Sequence, residues 1–389
     1  MTNHTLTLTD REVLETAQTG LATHMPLHAA GYDCSADDLY QVLVGASVQQ
    51  TTIEAACAEL VGTPGSNTIR NYLNEQVTVE DLPQLEAQLN QALMRNLPPR
   101  LKRKPRVIAL DMHDRPYYGK STQEKGLWVR GRAKAGTTHF YRIATAYVVL
   151  NGLRFTLAIR FVLPEDTTVQ VVETLCGHVV ALGIPRKYLL LDRGFAGIEV
   201  QTYLDTQDIP ALIACPIRGK TGGTRALCHG RKSYRTQHTF ASQGGRKQRT
   251  AELAICRTFT TAKRTKRLKR RAMWQVFILI HLEMIPQQVC QVYKYRFGIE
   301  TSYRCANQVR GWTTSPNPAL RFLLMALAVY LLNVWVWLRW GFTQIPRRGR
   351  RKLDRHAFQL TRFARFIIHA LEDHYGIVRH ISAVAAPLL

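Results

Sequence analysis

Acidic residues are scarce in this chain of 389 residues. It has 28 aspartates and glutamates against 52 lysines and arginines, a formal net charge of +24. The scarcity is greatest from residue 218 to residue 271, where Glu252 is the only acid. So large a positive excess predicts a polyanionic partner, with nucleic acid the first candidate, although proteins of membrane surfaces and ribosomes share the property.

Paired cysteines are also missing. The 8 cysteines are scattered with no C-x-x-C pair, which argues against a disulfide framework and favours reduced core thiols. Cys228, His229, His238 and Cys256 are the one alternative, a zinc site, but their spacing matches no regular zinc module. The first residues lack the basic-then-apolar order of a secretory signal, so a cytoplasmic protein is expected.

The stretch from residue 292 to residue 307 contains a polar series at helical spacing. The series, with steps of three, four, three and four, is Tyr293, Arg296, Glu300, Tyr303 and Asn307. This spacing predicts one continuous helix that carries all five side chains on one face. A glutamate in such a position could bind a metal, and the neighbouring phenols and guanidinium could form hydrogen bonds to phosphate. The alternative is a solvated stripe on an amphipathic helix.

Two aspartates follow short apolar runs. Residues 105–110 lead to Asp111, with Asp114 close behind, and residues 187–191 lead to Asp192. Such runs predict strands buried on both faces, as in a mostly parallel sheet. Because open α/β sheets place their chemistry at the carboxyl ends of strands, Asp111, Asp192 and Glu300 are expected to meet around Mg²⁺.

Together these motifs resemble a known family. The residues that carry the likeness are Asp111, the block Asp192-Arg193-Gly194-Phe195 and the Tyr-x2-Arg-x3-Glu pattern of Tyr293, Arg296 and Glu300. They resemble the DDE transposases of prokaryotic insertion sequences, more narrowly the insertion-sequence-four-like group, over roughly residues 106–340. Asn307 departs from the pattern, because the family has a lysine there. An asparagine can donate to phosphate but carries no charge.

The resemblance implies an α/β fold, a ribonuclease-H-like mixed sheet flanked by helices. It implies cleavage at transposon ends and strand transfer into target DNA, with two Mg²⁺ ions, replaceable by Mn²⁺, held by Asp111, Asp192 and Glu300. The expected partners are double-stranded DNA and a second copy of the chain, since two DNA ends must be paired; no membrane is expected. Tyr293 and Arg296 would hold the transposon strand, helped by Arg304.

Composition divides the chain into parts. Residues 1–100 predict a helical domain, in which two helices at residues 51–60 and 67–73, joined by a glycine-containing turn, resemble a helix-turn-helix with Ser66 as cap of the second helix and Arg70 facing DNA. Residues 101–217 and 284–345 predict the two parts of the catalytic domain, and Asn151-Gly152 predicts a hairpin turn within the first part. Residues 218–283 predict a basic, β-rich inserted subdomain, and residues 346–389 a helical tail.

Further DNA-binding candidates lie around these motifs. They are Arg193 after the second aspartate, Lys266 and Arg267 in the densest basic run, Trp274 as a stacking residue, and Asn307. The alternative for Trp274 is an ordinary core position.

Three other interpretations remain open. Residues 214–221 loosely match a phosphate-binding loop, which would make the chain an ATPase. A transposase that has lost catalysis and only binds DNA would keep the same positive charge. Ala319 to Trp340 is long and apolar enough to span a bilayer, although a buried helix is expected.

Overall fold

The structure is a computed structural model. It describes residues 7–119, 127–150, 152–220, 222–242, 244–264, 267–345, 352–354 and 356–380, of which 260–264, 267–271, 297–300 and 352 by their backbone alone. The chain forms two compact units. The helical unit consists of Met1–Pro98, Gly119–Gly126 and Ser302–Leu389, and the sheet unit of Pro99–Tyr118 and Leu127–Thr301.

The described elements are numbered in chain order. The helices are α1 Asp10–His24, α2 Ala36–Val48, α3 Ile53–Glu59, α4 Ser66–Gln76, α5 Leu82–Arg95, α6 Thr168–Ala181, α7 Ile198–Thr206, α8 Gly223–Ala226, α9 Pro286–Tyr293, α10 Gly298–Ala306, α11 Pro318–Phe342 and α12 Leu360–Tyr375. The strands are β1 Arg106–Pro116, β2 Val129–Lys134, β3 Thr137–Leu150, β4 Leu153–Val162, β5 Arg186–Leu191, β6 Ala211–Cys215, β7 Tyr234–Ala241, β8 Gln248–Arg264, β9 Arg267–Ile280, β10 Gln344–Ile345 and β11 Lys352–Leu353.

Helix α11 lies at the centre of the helical unit. It packs against α1, α2 and α5, and 89% of its most apolar window is buried there. The Tyr330 hydroxyl ties it to α1 by donating to the Ala17 carbonyl at 2.9 Å. Among the described helices it is the one long and apolar enough to cross a membrane. Its sequence is apolar on most sides because protein covers most of its surface.

Helices α3 and α4 form the predicted helical pair. Thr52 caps α3, its hydroxyl accepting from the Ala55 amide at 3.2 Å. The prediction that Ser66 caps the next helix is wrong, because Ser66 is its first helical residue and Gly65 precedes it without a side-chain cap. Helix α4 buries Ile69 and Leu73 and leaves its opposite face exposed.

The sheet unit contains one nine-stranded sheet. The strand order is β2-β3-β1-β5-β6-β9-β8-β7, with β4 also paired to β3. The central strands β1, β5 and β6 are parallel, whereas β3 and β9 join them antiparallel. Helix α6 is capped by Thr167, whose hydroxyl accepts from the Gln170 amide, and it packs on β3 and β4. The predicted α/β class with a mixed sheet flanked by helices is therefore confirmed, although only its centre is parallel.

The basic segment, residues 218–283, supplies strands β7, β8 and β9, which extend the sheet beyond β6. Strand β9 pairs with β6 from Cys215↔Val276 to Ala211↔Ile280, so the segment continues the central sheet. This pairing satisfies backbone groups that β6 would otherwise expose at an edge. Beyond these pairs, β8 and β9 continue as a two-stranded ribbon to Arg264↔Arg267.

The stretch from residue 292 to residue 307 is helical but broken, so the prediction of one continuous helix is wrong. Helix α9 ends at Tyr293, a 3₁₀ turn covers Lys294–Phe297, and α10 then begins at Gly298. The carbonyls of Tyr295 and Arg296 accept hydrogen bonds from the Tyr147 hydroxyl, at 2.6 and 3.1 Å. A tertiary donor thus takes the place of a helical amide, which accounts for the break.

Candidate active site

Two aspartates stand side by side on adjacent parallel strands, Asp192 directly after the end of β5 and Asp111 within β1, which continues to Pro116. Leu110 of β1 pairs with Leu191 of β5, and Asp111 and Asp192 are the next residue on each chain segment. Asp111 is buried, whereas the Asp192 side chain is 38% exposed. The apolar runs that precede the two aspartates are buried in the sheet. Burial of these runs places both aspartates where the pairing of β1 with β5 ends.

One guanidinium binds both carboxylates. Nη2 of Arg296 lies 3.1 Å from Oδ1 of Asp111 and 3.1 Å from Oδ2 of Asp192. Because both oxygens contact the same nitrogen, they lie no more than twice this distance apart. The Arg296 and Asp111 side chains are only 7% and 10% exposed, so two members of this ion triad are buried and the third, Asp192, is partly exposed. Two carboxylates therefore converge on the position of one cation.

The 3₁₀ turn that carries Arg296 is fixed to the sheet from two sides. On one side the Tyr147 hydroxyl of β3 donates to the turn carbonyls, and Tyr147 pairs with Ala109, two residues before Asp111. On the other side the Tyr293 hydroxyl donates to the Leu191 carbonyl at 3.2 Å. The Arg296 guanidinium lies 5.8 Å from the Tyr293 ring centroid. These contacts orient the guanidinium toward the aspartates.

Burial perturbs the ionisable groups of this site. Loss of solvent raises the pKa of Asp111 to about 6, against the opposing effect of Arg296, and Asp192 raises it further. Burial likewise raises the pKa of the Tyr293 phenol, so it stays protonated at neutral pH. Two ionised carboxylates that share one guanidinium carry a net negative charge, which a bound divalent cation would neutralise.

The raised pKa of Asp111 gives a testable pH dependence without metal. The unfolded carboxyl loses its proton near pH ~3.9, whereas the folded one keeps its proton up to about 6. The folded state binds more protons in this window, so the free energy of unfolding should fall as pH rises through it, by about 3 kcal/mol. Urea denaturation in EDTA across this pH range measures the slope, and Asp111→Asn should remove it. An unchanged slope in the variant would contradict the assignment.

Glu300, the third predicted acid, lies in the first turn of α10, four residues after Arg296. Its side chain is outside the described part of the structure. Among the described residues no three acidic, histidine or cysteine side chains gather into a metal site. The two described carboxylates are hard oxygen donors that already share one cationic partner, and such donors fit Mg²⁺.

Asp114 is engaged elsewhere. Its carboxylate accepts from Arg142 at 2.6 and 3.1 Å in a bidentate pair. Asp114 is three residues from Asp111 on one strand, so the two side chains leave opposite faces of the sheet. Asp114 therefore lies outside the aspartate pair.

The remaining predicted DNA-binding residues lie in several parts of the structure. Arg193 is exposed in the 3₁₀ turn directly after Asp192. Trp274, half-buried on β9, pairs with Arg257 of β8, whose guanidinium lies 5.8 Å from the indole centroid. In the helical unit Arg70, Arg304 and Asn307 are exposed. Lys266 lies outside the described residues, and Arg267 is described by its backbone alone.

Tyr147 is a functional candidate that the sequence did not indicate. It stands in an apolar strand and is 3% exposed, so its pattern is that of any core tyrosine. Tyr293 and Arg296, predicted to face DNA, are buried instead, at 5% and 6% exposure. Both face the aspartates, and this reflects long-range contacts with β5 and β3 that no local spacing encodes.

Two of the alternative sites find no support in the described residues. The loop after β6 leads to α8, which has only four residues, and so short a helix lacks the dipole that a phosphate-binding loop needs. The thiols of Cys228 and Cys256 donate to the carbonyls of Thr224 and Pro286. They join no described metal-binding group.

Comparison with known proteins identifies a similar fold. No protein-family model matches the chain, and no curated protein matches it by sequence. A solved piggyBac transposase, in a synaptic complex with hairpin DNA, is similar with a TM-score of 0.56 and 10% sequence identity. The match covers 95% of this chain and 78% of that one. The chain thus shares the fold of a DNA transposase.

Proposed function

We propose that the chain is a DDE-type DNA transposase of the insertion-sequence-four-like group, a metal-dependent nuclease and strand transferase. The observation that carries the proposal is the ion triad, in which one guanidinium binds two aspartates from adjacent parallel strands. Aspartates arranged in this way suit phosphoryl transfer, because such sites concentrate negative ligands where divalent cations and a DNA phosphate must meet.

In this proposal Asp111, Asp192 and Glu300 hold two Mg²⁺ ions. When bound, the metals would supply Lewis acidity to the attacking and leaving oxygens of an in-line displacement. In cleavage, a water oxygen bonds to phosphorus, the bond to the 3′ oxygen breaks, and that oxygen leaves as a 3′-hydroxyl. In strand transfer, the 3′-hydroxyl attacks a target phosphate in the same way. Arg296 and Tyr293 keep the carboxylates in position.

Charge distribution supports DNA as the substrate. The chain carries a net +24, and the ribbon of β8 and β9 contains the densest basic run. Phosphate contacts of this kind supply affinity without sequence preference. Two DNA ends have to be held together, so the proposed active form is a homodimer on DNA.

The proposed function is tested with a plasmid that carries the coding region and its natural flanking sequence. We expect purified protein to cut at the flanks in Mg²⁺ or Mn²⁺ and to leave the plasmid intact in EDTA, with cut positions read by primer extension. Binding of the plasmid without any cleavage in either metal would favour the non-catalytic alternative, a DNA-binding protein that has lost its activity.

A further inference from the structure

A groove of about 260 Å³ lies within the helical unit, whereas the aspartate pair belongs to the sheet unit. One wall is the exposed face of α4, and the other is the segment that precedes α11. The α4 wall presents Asn67, Arg70, Asn71 and Asn74. Their spacing of three, one and three residues places all four side chains on one helix face.

The opposite wall, residues 312–315, is a fixed segment. The Trp312 amide donates to the Thr51 carbonyl at 2.8 Å, and Arg321 donates to the Ser315 carbonyl at 2.7 Å. The backbone is therefore held at both ends, yet the Trp312 side chain is 57% exposed. The Arg310 guanidinium lies 5.7 Å from the indole centroid. A large apolar ring is thus kept in solvent by an ordered backbone.

The groove carries the chemistry that recognises a nucleotide. An exposed indole offers a stacking surface, and a row of amides offers donors and acceptors to a base edge. Arg70 in the groove and Arg310 behind the indole supply positive charge, and Glu54 is the one acid among the described lining residues. This balance suits an anionic ligand with a flat aromatic part.

We propose that this groove binds one strand of DNA, with an unpaired base stacked on Trp312 and its phosphate near Arg70. The inference rests on the proposed function, since it makes this groove a second DNA contact of the transposase. Bases inside a duplex hide their faces from protein, so stacking on Trp312 requires a base that is out of its pair. The α4 amides then contact the exposed base edge.

The test measures binding of the full-length protein to fluorescent DNA in EDTA, which prevents cleavage. Two probes are compared by anisotropy: a duplex with an unpaired tail and a fully paired duplex. Trp312→Ala should weaken binding of the tailed duplex about tenfold or more and binding of the paired duplex much less. Trp312→Phe should keep most of the affinity, because it keeps a stacking ring.

The matched control is Trp337→Ala, which removes a tryptophan of α11 that is 37% exposed and lies outside the groove lining. It should bind both probes as the wild type does, and an equal loss in this control would overturn the inference. Asn71→Ala provides a second groove variant at an exposed position, should the tryptophan variant fail to fold.

Two outcomes separate this inference from the proposed function. If the wild type binds DNA and both groove variants bind it equally well, the groove proposal is overturned and the transposase proposal stands. If the wild type binds neither probe, both are overturned. Equal weakening on the two probes would overturn stacking of an unpaired base.

Discussion

Asp192→Asn should abolish metal-dependent DNA cleavage while leaving DNA binding intact. Mutation of a group that only supports a metal ligand typically lowers activity roughly 10–100-fold. Mutation of a ligand itself should lower activity further, by about 10³-fold or more. An asparagine retains the shape of the side chain, and the Asp192 side chain is 38% exposed, so folding should be little affected. Single-turnover cleavage of end-containing DNA in Mg²⁺ measures the effect.

The matched control for this experiment is Asp114→Asn. Asp114 is on the same strand as Asp111 but pairs with Arg142 on the other face of the sheet. Its replacement should leave cleavage within a few-fold of wild type, since it removes a half-exposed ion pair alone. Equal loss in the two variants would show that the aspartate pair has no special role in the reaction.

Arg296→Met should destabilise the sheet unit strongly in the absence of metal. The arginine is 7% exposed and is bound to both aspartates, so its removal leaves two neighbouring carboxylates without a counter-charge. Breaking a buried ion pair in this way costs about 3–5 kcal/mol. Urea denaturation in EDTA, followed by tryptophan fluorescence, measures the change.

Arg142→Met provides the control for this effect. Its pair with Asp114 has side-chain exposures of 28% and 31%, so the expected cost is about 1 kcal/mol or less. Mg²⁺ should restore part of the stability of Arg296→Met, because a bound cation can neutralise the same carboxylates. If the two variants lost equal stability, and Mg²⁺ rescued neither, the ion triad would not be the centre of this site.

The break between α9 and α10 shows a limit of predicting helices from the spacing of polar residues. The spacing from Tyr293 to Glu300 correctly indicates helical structure, because the pattern of polar and apolar residues is local. The spacing does not indicate the 3₁₀ turn, because that turn depends on hydrogen bonds from Tyr147. The two carbonyls that accept these bonds lie 148 and 149 residues after Tyr147 in the sequence. A tertiary contact of this length leaves no signal in local spacing.

The sequence by itself determined the elements whose causes are local. The apolar runs before Asp111 and Asp192 specify buried strands, Asn151-Gly152 predicts the hairpin in which Leu150 pairs with Leu153, and Asp166-Thr167 marks the start of α6. Side-chain alternation, turn chemistry and capping each act over a few residues, so they can be read directly from the chain.

The tertiary structure alone decided which of these elements become neighbours. Asp111 and Arg296 are 185 residues apart and meet only because β1 pairs with β5 and Tyr147 fixes the turn. The basic strands joined the central sheet because β6 had an edge left to pair, and Trp312 came to face α4 through its bond to Thr51. Pairing partners are chosen by the whole core at once, and for that reason no short stretch of sequence contains them.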